Sequence, residues 1–197
     1  METKNYAGES DYSITSILEE DISIAEIMKN FNEFWNIKSR FFLFLNKQGK
    51  VRNETELIQF KNAIDNVLLK SESKALSLET KFLYYHIYSA YYFGIDDYLN
   101  CYQNLIKNIE LVEKHPRVFR EKPNIYFSIL SNAIYIANQL KQHDQAFLYL
   151  KKLREIPILL HAQKNQDLAV KLFSTSYSIE LALYKAMGEF SSAVELI

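Results

Sequence analysis

The sequence predicts an all-α protein built from antiparallel helical hairpins, and three observations carry that prediction. From Ile14 onward, apolar residues recur at intervals of three and four positions, which is the spacing of helices with an apolar face. The 197 residues include only 4 glycines and 3 prolines, and most of these stand between the periodic segments. No segment shows the alternation of apolar and polar residues, bounded by turn signals, that is typical of a β-strand.

The N-terminal third divides into a lead-in and a helical region. Residues 1–13 are polar and show no period, so they are expected to form a flexible lead-in. Residues 14–76 are expected to form an N-terminal helical region, either a decayed repeat or a helical cap, with two helices or one bent helix before Gly49. Asn53 and Glu56 then have the spacing of a capped helix start. The apolar face of that helix is predicted to carry Leu57, Phe60, Ile64, Val67 and Leu68.

The first clear hairpin begins at Ser77, which is placed to cap a helix. That helix carries an aromatic cluster from Tyr84 to Phe93 and is apolar nearly all round, which is typical of a helix buried on several sides. Residues 94–97 interrupt the period, and an amphipathic helix follows from Tyr98 to Val112. Because the turn is short, the two helices are predicted to be antiparallel neighbours.

Prolines mark the boundaries in the second half of the chain. His115-Pro116 ends a helix, a short basic linker follows, and Pro123 suits the first turn of the next helix. Pro157 is expected to stop the helix that precedes it. The predicted helices are 124–140, 144–154 and 168–187, and a last one begins after Gly188-Glu189.

Three turns can be superposed on one another along the chain. Each contains an aromatic ring followed three residues later by a small side chain, and the small residues are Cys101, Ala146 and Ala193. Intervals of 45 and 47 residues separate them. A small side chain lets two helices approach closely, so these three residues are predicted to be the contact points between hairpin arms.

This pattern resembles the tetratricopeptide repeat, whose unit is about 34 residues long. The resemblance covers residues 77–197, with the last repeat incomplete, and it implies that the hairpins stack into an α-solenoid. The last unit matches best, with Tyr184, Gly188, Glu189, Phe190 and Ala193 standing where the family has an aromatic residue, a Gly-Asp turn, an aromatic residue and alanine. The first unit has Tyr92, Asp97, Tyr98 and Cys101 in the equivalent places, and Ser89 stands at the small-residue position of its first helix. The middle unit departs from the family pattern at Ile134, Ala137 and Lys141-Gln142. Its Ala146, Leu150 and Leu153 still form the expected line of contact between the paired helices.

In the resembled family, the first helix of each hairpin lines a concave face that grips peptides or other proteins. Transferring this face to the equivalent positions of the present sequence predicts eight partner-binding residues. The alternative is that these residues are only exposed to solvent. They are His86, Ser131, Tyr135, Asn138, Gln139, Thr175, Ser178 and Lys185. The resemblance therefore implies a protein-interaction scaffold or adaptor that binds a protein or peptide. The alternative is a sensory or regulatory module that binds a small ligand or signal peptide and controls an associated enzyme or DNA-binding protein.

The residues that could carry chemistry do not form recognisable motifs. The four histidines lack the i, i+4 spacing or the neighbouring cysteine of a metal site. Cys101 lies on an apolar helix face, where packing explains it better than catalysis. No glycine-rich phosphate loop or nucleophile elbow is present. We therefore expect no catalytic residues, no metal and no cofactor, and we predict that the chain is not an enzyme.

The charge and the composition restrict the kinds of partner and the cellular compartment that the sequence predicts. A net charge of −1 and a pI near 6.4 argue against nucleic acid, which requires a broad positive field. No apolar stretch is long enough to cross a membrane. One cysteine and the lack of a secretory signal at the amino terminus favour the cytoplasm. Because the last repeat is unfinished, its end is expected to continue in a longer array or to be covered by another subunit.

Overall fold

The computed structural model describes the backbone of residues 7–195 and the side chains of residues 16–195. Within this part of the chain there are nine α-helices and no strand, which confirms the all-α prediction. The helices are α1 (Ala7–Gln48), α2 (Glu54–Ala63), α3 (Leu78–Gly94), α4 (Tyr98–Lys114), α5 (Pro116–Phe119), α6 (Pro123–Gln139), α7 (His143–Leu159), α8 (Gln166–Met187) and α9 (Phe190–Glu195). Two short 3-10 helices, Val67–Lys70 and Glu72–Lys74, connect α2 to α3.

The turns that close the hairpins α3/α4, α6/α7 and α8/α9 share one backbone geometry. Each has a residue in the left-handed region, with φ of 58° at Asp96, 57° at Lys141 and 77° at Gly188. In each, the next amide donates back to a carbonyl five residues earlier, over 2.9 Å (Asp97 to Tyr92), 2.8 Å (Gln142 to Ala137) and 2.9 Å (Glu189 to Tyr184). This is the Schellman arrangement that ends a helix and reverses the chain.

The small residues that follow these turns occupy equivalent positions. Cys101, Ala146 and Ala193 are all buried, and each amide donates to the carbonyl four residues earlier, so each lies in the first turn of its helix. The alignment of the three turns predicted from the sequence therefore holds in the backbone. It holds even for Lys141, which adopts the conformation that glycine adopts in the last turn.

Consecutive helices pack on one another along the chain. α1 packs on α3, α4 contacts α6, and α7 packs on α8, so one core runs through the hairpins. The hydroxyl of Tyr102 on α4 donates to that of Tyr149 on α7 over 3.1 Å, inside the core. Glu113 on α4 accepts from Tyr126 of α6 (2.6 Å) and from Lys152 of α7 (2.7 Å), and so ties three helices together.

α1 is a single helix of 42 residues, and it begins within the segment predicted to be a flexible lead-in. Residues 7–13 are helical because no proline interrupts them and a helix extends cheaply once it is nucleated; residues 1–6 lie outside the described residues. Every described side chain from 16 to 29 is exposed, and burial begins at Asn30. The side chain of Asn30 donates to the carbonyl of Lys74 (2.9 Å) and accepts from the amide of Leu76 (3.0 Å).

The prediction of a capped helix start at Asn53 is confirmed, but the predicted length of that helix is wrong. The Asn53 side chain accepts from the amide of Glu56 over 2.9 Å. α2 ends at Ala63, and Val67 and Leu68 belong to a separate 3-10 helix, because Asn66 accepts from the Leu68 amide (2.9 Å) and starts a new turn. That turn brings Leu69 into the core.

Two predictions about the proline-rich boundaries are also wrong. Pro157 does not stop α7, which continues to Leu159; the proline lies in the last turn, and the buried Ile156 and Leu160 on either side hold that turn in place. The segment predicted as a basic linker contains α5, which places Phe119 in the core.

Candidate functional site

A groove runs along α3, with α1 on one side and α5 and α6 on the other. It contains two neighbouring cavities of about 550 Å³ and 370 Å³, and His86 lines both. The first cavity lies over the N-terminal half of α3 and the second over its C-terminal half. Their floor and walls are mostly apolar and aromatic, as in most ligand and peptide sites.

The α1 wall of the first cavity is formed by Phe31, Trp35 and Lys38. These residues share a helix face because they are spaced by three and four positions. The rings of Phe31 and Trp35 are stacked with centroids 6.2 Å apart. The Lys38 ammonium lies 4.5 Å from the centroid of Trp35 and 5.1 Å from that of Phe42, so its charge is held over two aromatic faces at the mouth of the cavity.

The opposite wall is built where the chain enters α6. Phe119 of α5 packs on Phe82 of α3 with ring centroids 5.7 Å apart. Lys122 follows, and Pro123 starts α6, which presents Ile125 and Ser128 to the cavity. The wall therefore combines an apolar base with a cation at the rim.

His86 lies in the floor of the groove, at the point where the two cavities meet. Its ring contacts Phe42 and Phe82, with centroids 4.8 Å and 5.6 Å away. Burial, and then the nearby Lys38 cation, lower the pKa of His86 to about 4, so the imidazole is neutral at pH 7. Neither ring nitrogen has a hydrogen-bond partner among the described residues.

The backbone at His86 is held from behind by a buried amide of α4. In the orientation that satisfies both ends of its amide, the Asn108 side chain accepts from the His86 amide (3.2 Å) and donates to the Phe82 carbonyl (3.3 Å). A buried polar group is retained at low cost when it is hydrogen-bonded in this way. Asn108 therefore fixes the position of the groove floor.

The second cavity contains Cys101 and Tyr135. Cys101 is buried, and burial raises the pKa of its thiol to about 12, so the sulfur is a neutral packing group at pH 7. Tyr135 of α6 is half exposed and meets Phe93 of α3 edge to face, with centroids 6.2 Å apart. Asn132 adds an amide to the same wall.

The structure brings together two of the eight residues nominated from the sequence, because His86 and Tyr135 both line the second cavity. Asn138 and Gln139 lie in a separate surface depression beside the end of α8, where the Oδ1 atom of Asn138 is buried without a hydrogen-bond partner. The other four residues line none of the described cavities. Ser131 and Ser178 donate to backbone carbonyls of their own helices, Thr175 is half-buried and Lys185 is exposed.

Sequence reasoning missed most of the groove for two reasons. It placed residues 14–76 outside the binding face, as a decayed repeat or a helical cap, although Phe31, Trp35 and Lys38 have the spacing of residues on one helix face. On α6 it nominated Ser131, Tyr135, Asn138 and Gln139, of which Tyr135 alone lines one of these two cavities. The residues of α6 that line the cavities are Ile125, Ser128, Ile129, Asn132, Tyr135 and Ile136.

The charges at the groove are few and lack ion-pair partners. Lys38, Lys122 and Glu79 all line the first cavity, and none of them takes part in an ion pair found among the described residues. Glu79 lies in the first turn of α3, where the helix dipole favours a carboxylate. The two lysines are therefore the cations available to a bound molecule.

In the described part of the chain, no group of three or more His, Cys, Asp or Glu residues is placed to hold a metal ion. None of the helices among these residues is both long and apolar enough to cross a membrane. Profiles of known protein families, curated proteins and solved structures were compared with the chain, and none of them matches. The fold and the groove thus define the class of this protein as an all-α protein of packed helical hairpins with an apolar groove.

Proposed function

We propose that this chain is a non-catalytic interaction module of the tetratricopeptide-repeat type that holds a segment of another protein in the groove along α3. The observation that carries the proposal is the groove itself, with an aromatic floor, an unpartnered imidazole and two unpaired ammonium groups. The similar backbone geometry of the three hairpin turns supports the repeat assignment. The single buried cysteine fits a reducing cytoplasm, where such a module would work.

The walls define the chemistry of the segment that would bind. Phe31, Trp35 and Ile125 offer apolar contact, so the bound segment should carry aliphatic or aromatic side chains. Lys38 and Lys122 stand on opposite walls, so an acidic side chain or a terminal carboxylate would find a cation on either side. A net charge of −1 for the chain argues against a nucleic acid as the bound molecule.

Blocking the groove tests this function. Ser128 is exposed on the α6 wall, so Ser128→Trp would fill the first cavity without disturbing the core. Ser174→Trp on α8 is the matched control, because both serines are exposed and both donate to the carbonyl four residues earlier. Peptides selected on the wild-type protein from a displayed random library should bind the control and lose binding to Ser128→Trp. Equal binding to both variants would contradict the groove.

The volume of the first cavity supports a second candidate, a regulatory module that senses a small ligand. About 550 Å³ lies within the roughly 300–1,000 Å³ typical of small-molecule pockets. The same two lysines would select an apolar carboxylate, and binding would be passed to an associated enzyme or DNA-binding protein. Thermal-shift screening against aliphatic and aromatic carboxylates separates the two candidates. Stabilisation of wild type and Ser174→Trp, but not of Ser128→Trp, would favour the small ligand.

A further inference from the structure

The three helices that line the groove run along it in the same direction. The lining residues lie between 31 and 46 on α1, between 79 and 93 on α3 and between 124 and 136 on α6. In each helix the lower numbers line the first cavity and the higher numbers line the second. The groove is therefore a linear slot about 21 Å long, because residues 79 and 93 are about four helical turns apart.

α1 carries two rows of residues at the spacing that packs helices side by side. Both rows alternate steps of four and three residues, which is the heptad spacing of helix–helix contacts. One row faces the core and includes the buried Phe34 and Phe41. The other row is displaced by one residue and lines the groove, and it consists of Phe31, Trp35, Lys38, Phe42 and Leu45. Two such rows let one helix pack against two neighbours, and the groove lies where the second neighbour of α1 would lie.

α3 and α6 present the same spacing to the groove. The row of α3 is Phe82, His86, Ser89 and Phe93. The row of α6 is Ile125, Ser128, Asn132 and Tyr135. The two serines are small side chains near the middle of the slot, and small side chains at a contact let helices approach closely. Three helices with such rows around one slot leave room of the right shape for a fourth helix.

The hydrogen-bonding groups of the groove favour a helix over an extended chain. An extended segment rises about 3.3 Å per residue, so about six residues would fill the slot and bring about twelve backbone donors and acceptors. The hydroxyls of Ser89 and Ser128 already donate to the carbonyls of His86 and Asn124, over 2.9 Å each. A helix pairs its backbone groups internally, whereas an extended segment would hold unpaired amides against a largely apolar floor.

The charges of the lining are concentrated at the first cavity. Lys38, Lys122 and Glu79 line it, and no Lys, Arg, Asp or Glu is found among the described residues that line the second cavity. α3 and α6 also begin beside the first cavity, so the positive ends of their dipoles lie there. The first cavity therefore favours the negative end of a bound helix, together with any acidic side chains in its last turn. A helix bound in this way runs antiparallel to α3.

We propose that the segment held in the groove is an amphipathic helix of another protein, about four turns long, with acidic residues in its C-terminal turn beside Lys38 and Lys122. It presents apolar residues at heptad spacing to α1, α3 and α6 and forms a four-helix arrangement with them. This inference rests on the proposed function and names the kind of segment that the groove takes. The two are separable, because an extended peptide in the same groove would satisfy the proposed function and contradict the helix.

Two displayed libraries of equal size test the helix. Both contain peptides of about 18 residues, or five turns, randomised at heptad positions on an alanine-rich background. In the second library the central alanines are replaced by proline, which breaks a helix. Panning on the wild-type protein should enrich binders from the first library only, and these should bind Ser174→Trp but lose binding to Ser128→Trp. A proline at the centre of a selected peptide should raise its dissociation constant at least about tenfold.

The outcomes separate the helix from the proposed function. Binders from the proline library that Ser128→Trp also blocks would keep the groove function and overturn the helix. Helical binders that bind Ser128→Trp and Ser174→Trp equally well would overturn both, because they would bind elsewhere. An absence of binders from either library would likewise overturn both.

A nitroxide label on a selected peptide tests the direction of the bound helix. A label at the C-terminal end of the peptide should broaden the amide resonances of Lys122 and Ile125, which line the first cavity. A label at the N-terminal end should broaden the amide resonance of Tyr135, in the second cavity. The reverse pattern would overturn the assigned direction.

Neutral variants of the two lysines test the charge pairing. Lys38→Gln together with Lys122→Gln should weaken the binding of a selected peptide with an acidic C-terminal turn by about fivefold. The control is Lys151→Gln together with Lys164→Gln, at exposed positions that line neither cavity, and it should bind like wild type. Equal affinities for the two double variants would contradict the placement of the acidic turn.

Discussion

Gly94, the last residue of α3, lies directly against the ring of Phe60 on α2. A Cβ atom built on residue 94 would stand 2.3 Å from the Cε1 atom of Phe60, well inside van der Waals contact. The Gly94 carbonyl also accepts from the Val51 amide over 2.8 Å. This contact fixes α2 to the first hairpin, and it needs a residue without a side chain.

Gly94→Ala should lower the free energy of unfolding by about 1–3 kcal/mol, the usual cost of overpacking a filled core. Helix propensity alone would make the alanine variant more stable by about 1 kcal/mol. A net loss of stability would therefore show that the clash with Phe60 outweighs the gain in propensity. Chemical denaturation measures it. In a Phe60→Leu background the same substitution should cost less, because the smaller side chain leaves room. A stabilised Gly94→Ala protein would show that α2 does not pack as described.

Ala146→Leu should also destabilise the protein by about 1–3 kcal/mol. Ala146 is fully buried in the first turn of α7, the helix that packs against α6. Ala193→Leu tests the same contact in the last hairpin, and Ala182→Leu on the exposed side of α8 is the control. Thermal melting should fall for the two buried sites and stay unchanged for the control. Unchanged melting of both buried variants would refute their role as contact points.

The helix boundaries were predictable wherever local chemistry sets them. Ser77 accepts from the Thr80 amide and Asp97 accepts from the Asn100 amide, as capping residues do, and Gly188 ends α8 with a positive φ. The sequence failed where tertiary packing overrides the local signal. Pro157 is kept inside α7 by its buried neighbours, and Phe119 turns a polar-looking linker into a short helix.

The groove could be predicted only in part, because it depends on contacts between residues far apart in the chain. His86 and Tyr135 were nominated from a repeat register, and they lie in the same cavity. The wall that α1 contributes to the groove was not predicted, because no local sequence pattern indicates that Trp35 and Lys38 lie beside α3 rather than in solvent. The side of α6 that faces the groove likewise depends on how α6 rotates against α3 and α4.

Several buried tyrosines should make the fold sensitive to alkali. Burial and the hydrogen bond to Glu113 raise the pKa of Tyr126 well above its usual range, and burial raises the pKa of Tyr88 to about 12. In the unfolded chain a tyrosine ionises near pH 10. A folded-state pKa above the unfolded value means that stability is constant below about pH 10 and falls as the pH rises beyond it.

Absorbance at 295 nm measures this ionisation directly. Part of the tyrosinate signal should appear only together with the loss of helical circular dichroism. Tyr126→Phe should reduce the loss of stability above pH 10. Tyr135→Phe, at a half-exposed site, should not change that loss. Smooth ionisation of all tyrosines in a protein that stays folded would contradict the packing around Tyr126.

His86 should make the fold less stable in acid, whereas the tyrosines make it less stable in alkali. Burial and the Lys38 cation lower its pKa to about 4, whereas the unfolded chain binds this proton near pH 6.5. A lowered histidine pKa means that the stabilisation is complete above pH 6.5 and is lost progressively as the pH falls toward 4. The loss should reach about 3 kcal/mol, from about 1.4 kcal/mol per pKa unit.

Comparison of variants separates this contribution from the carboxylates that titrate in the same range. The free energy of unfolding of His86→Gln should depend less on pH than that of wild type between 6.5 and 4, while His115→Gln, at an exposed position, should follow wild type. Parallel curves for all three proteins would show that the imidazole is not desolvated. Because a carboxylate in the groove would stabilise the imidazolium, an acidic peptide should raise the pKa of His86 in NMR titrations, and a neutral peptide of the same length should not.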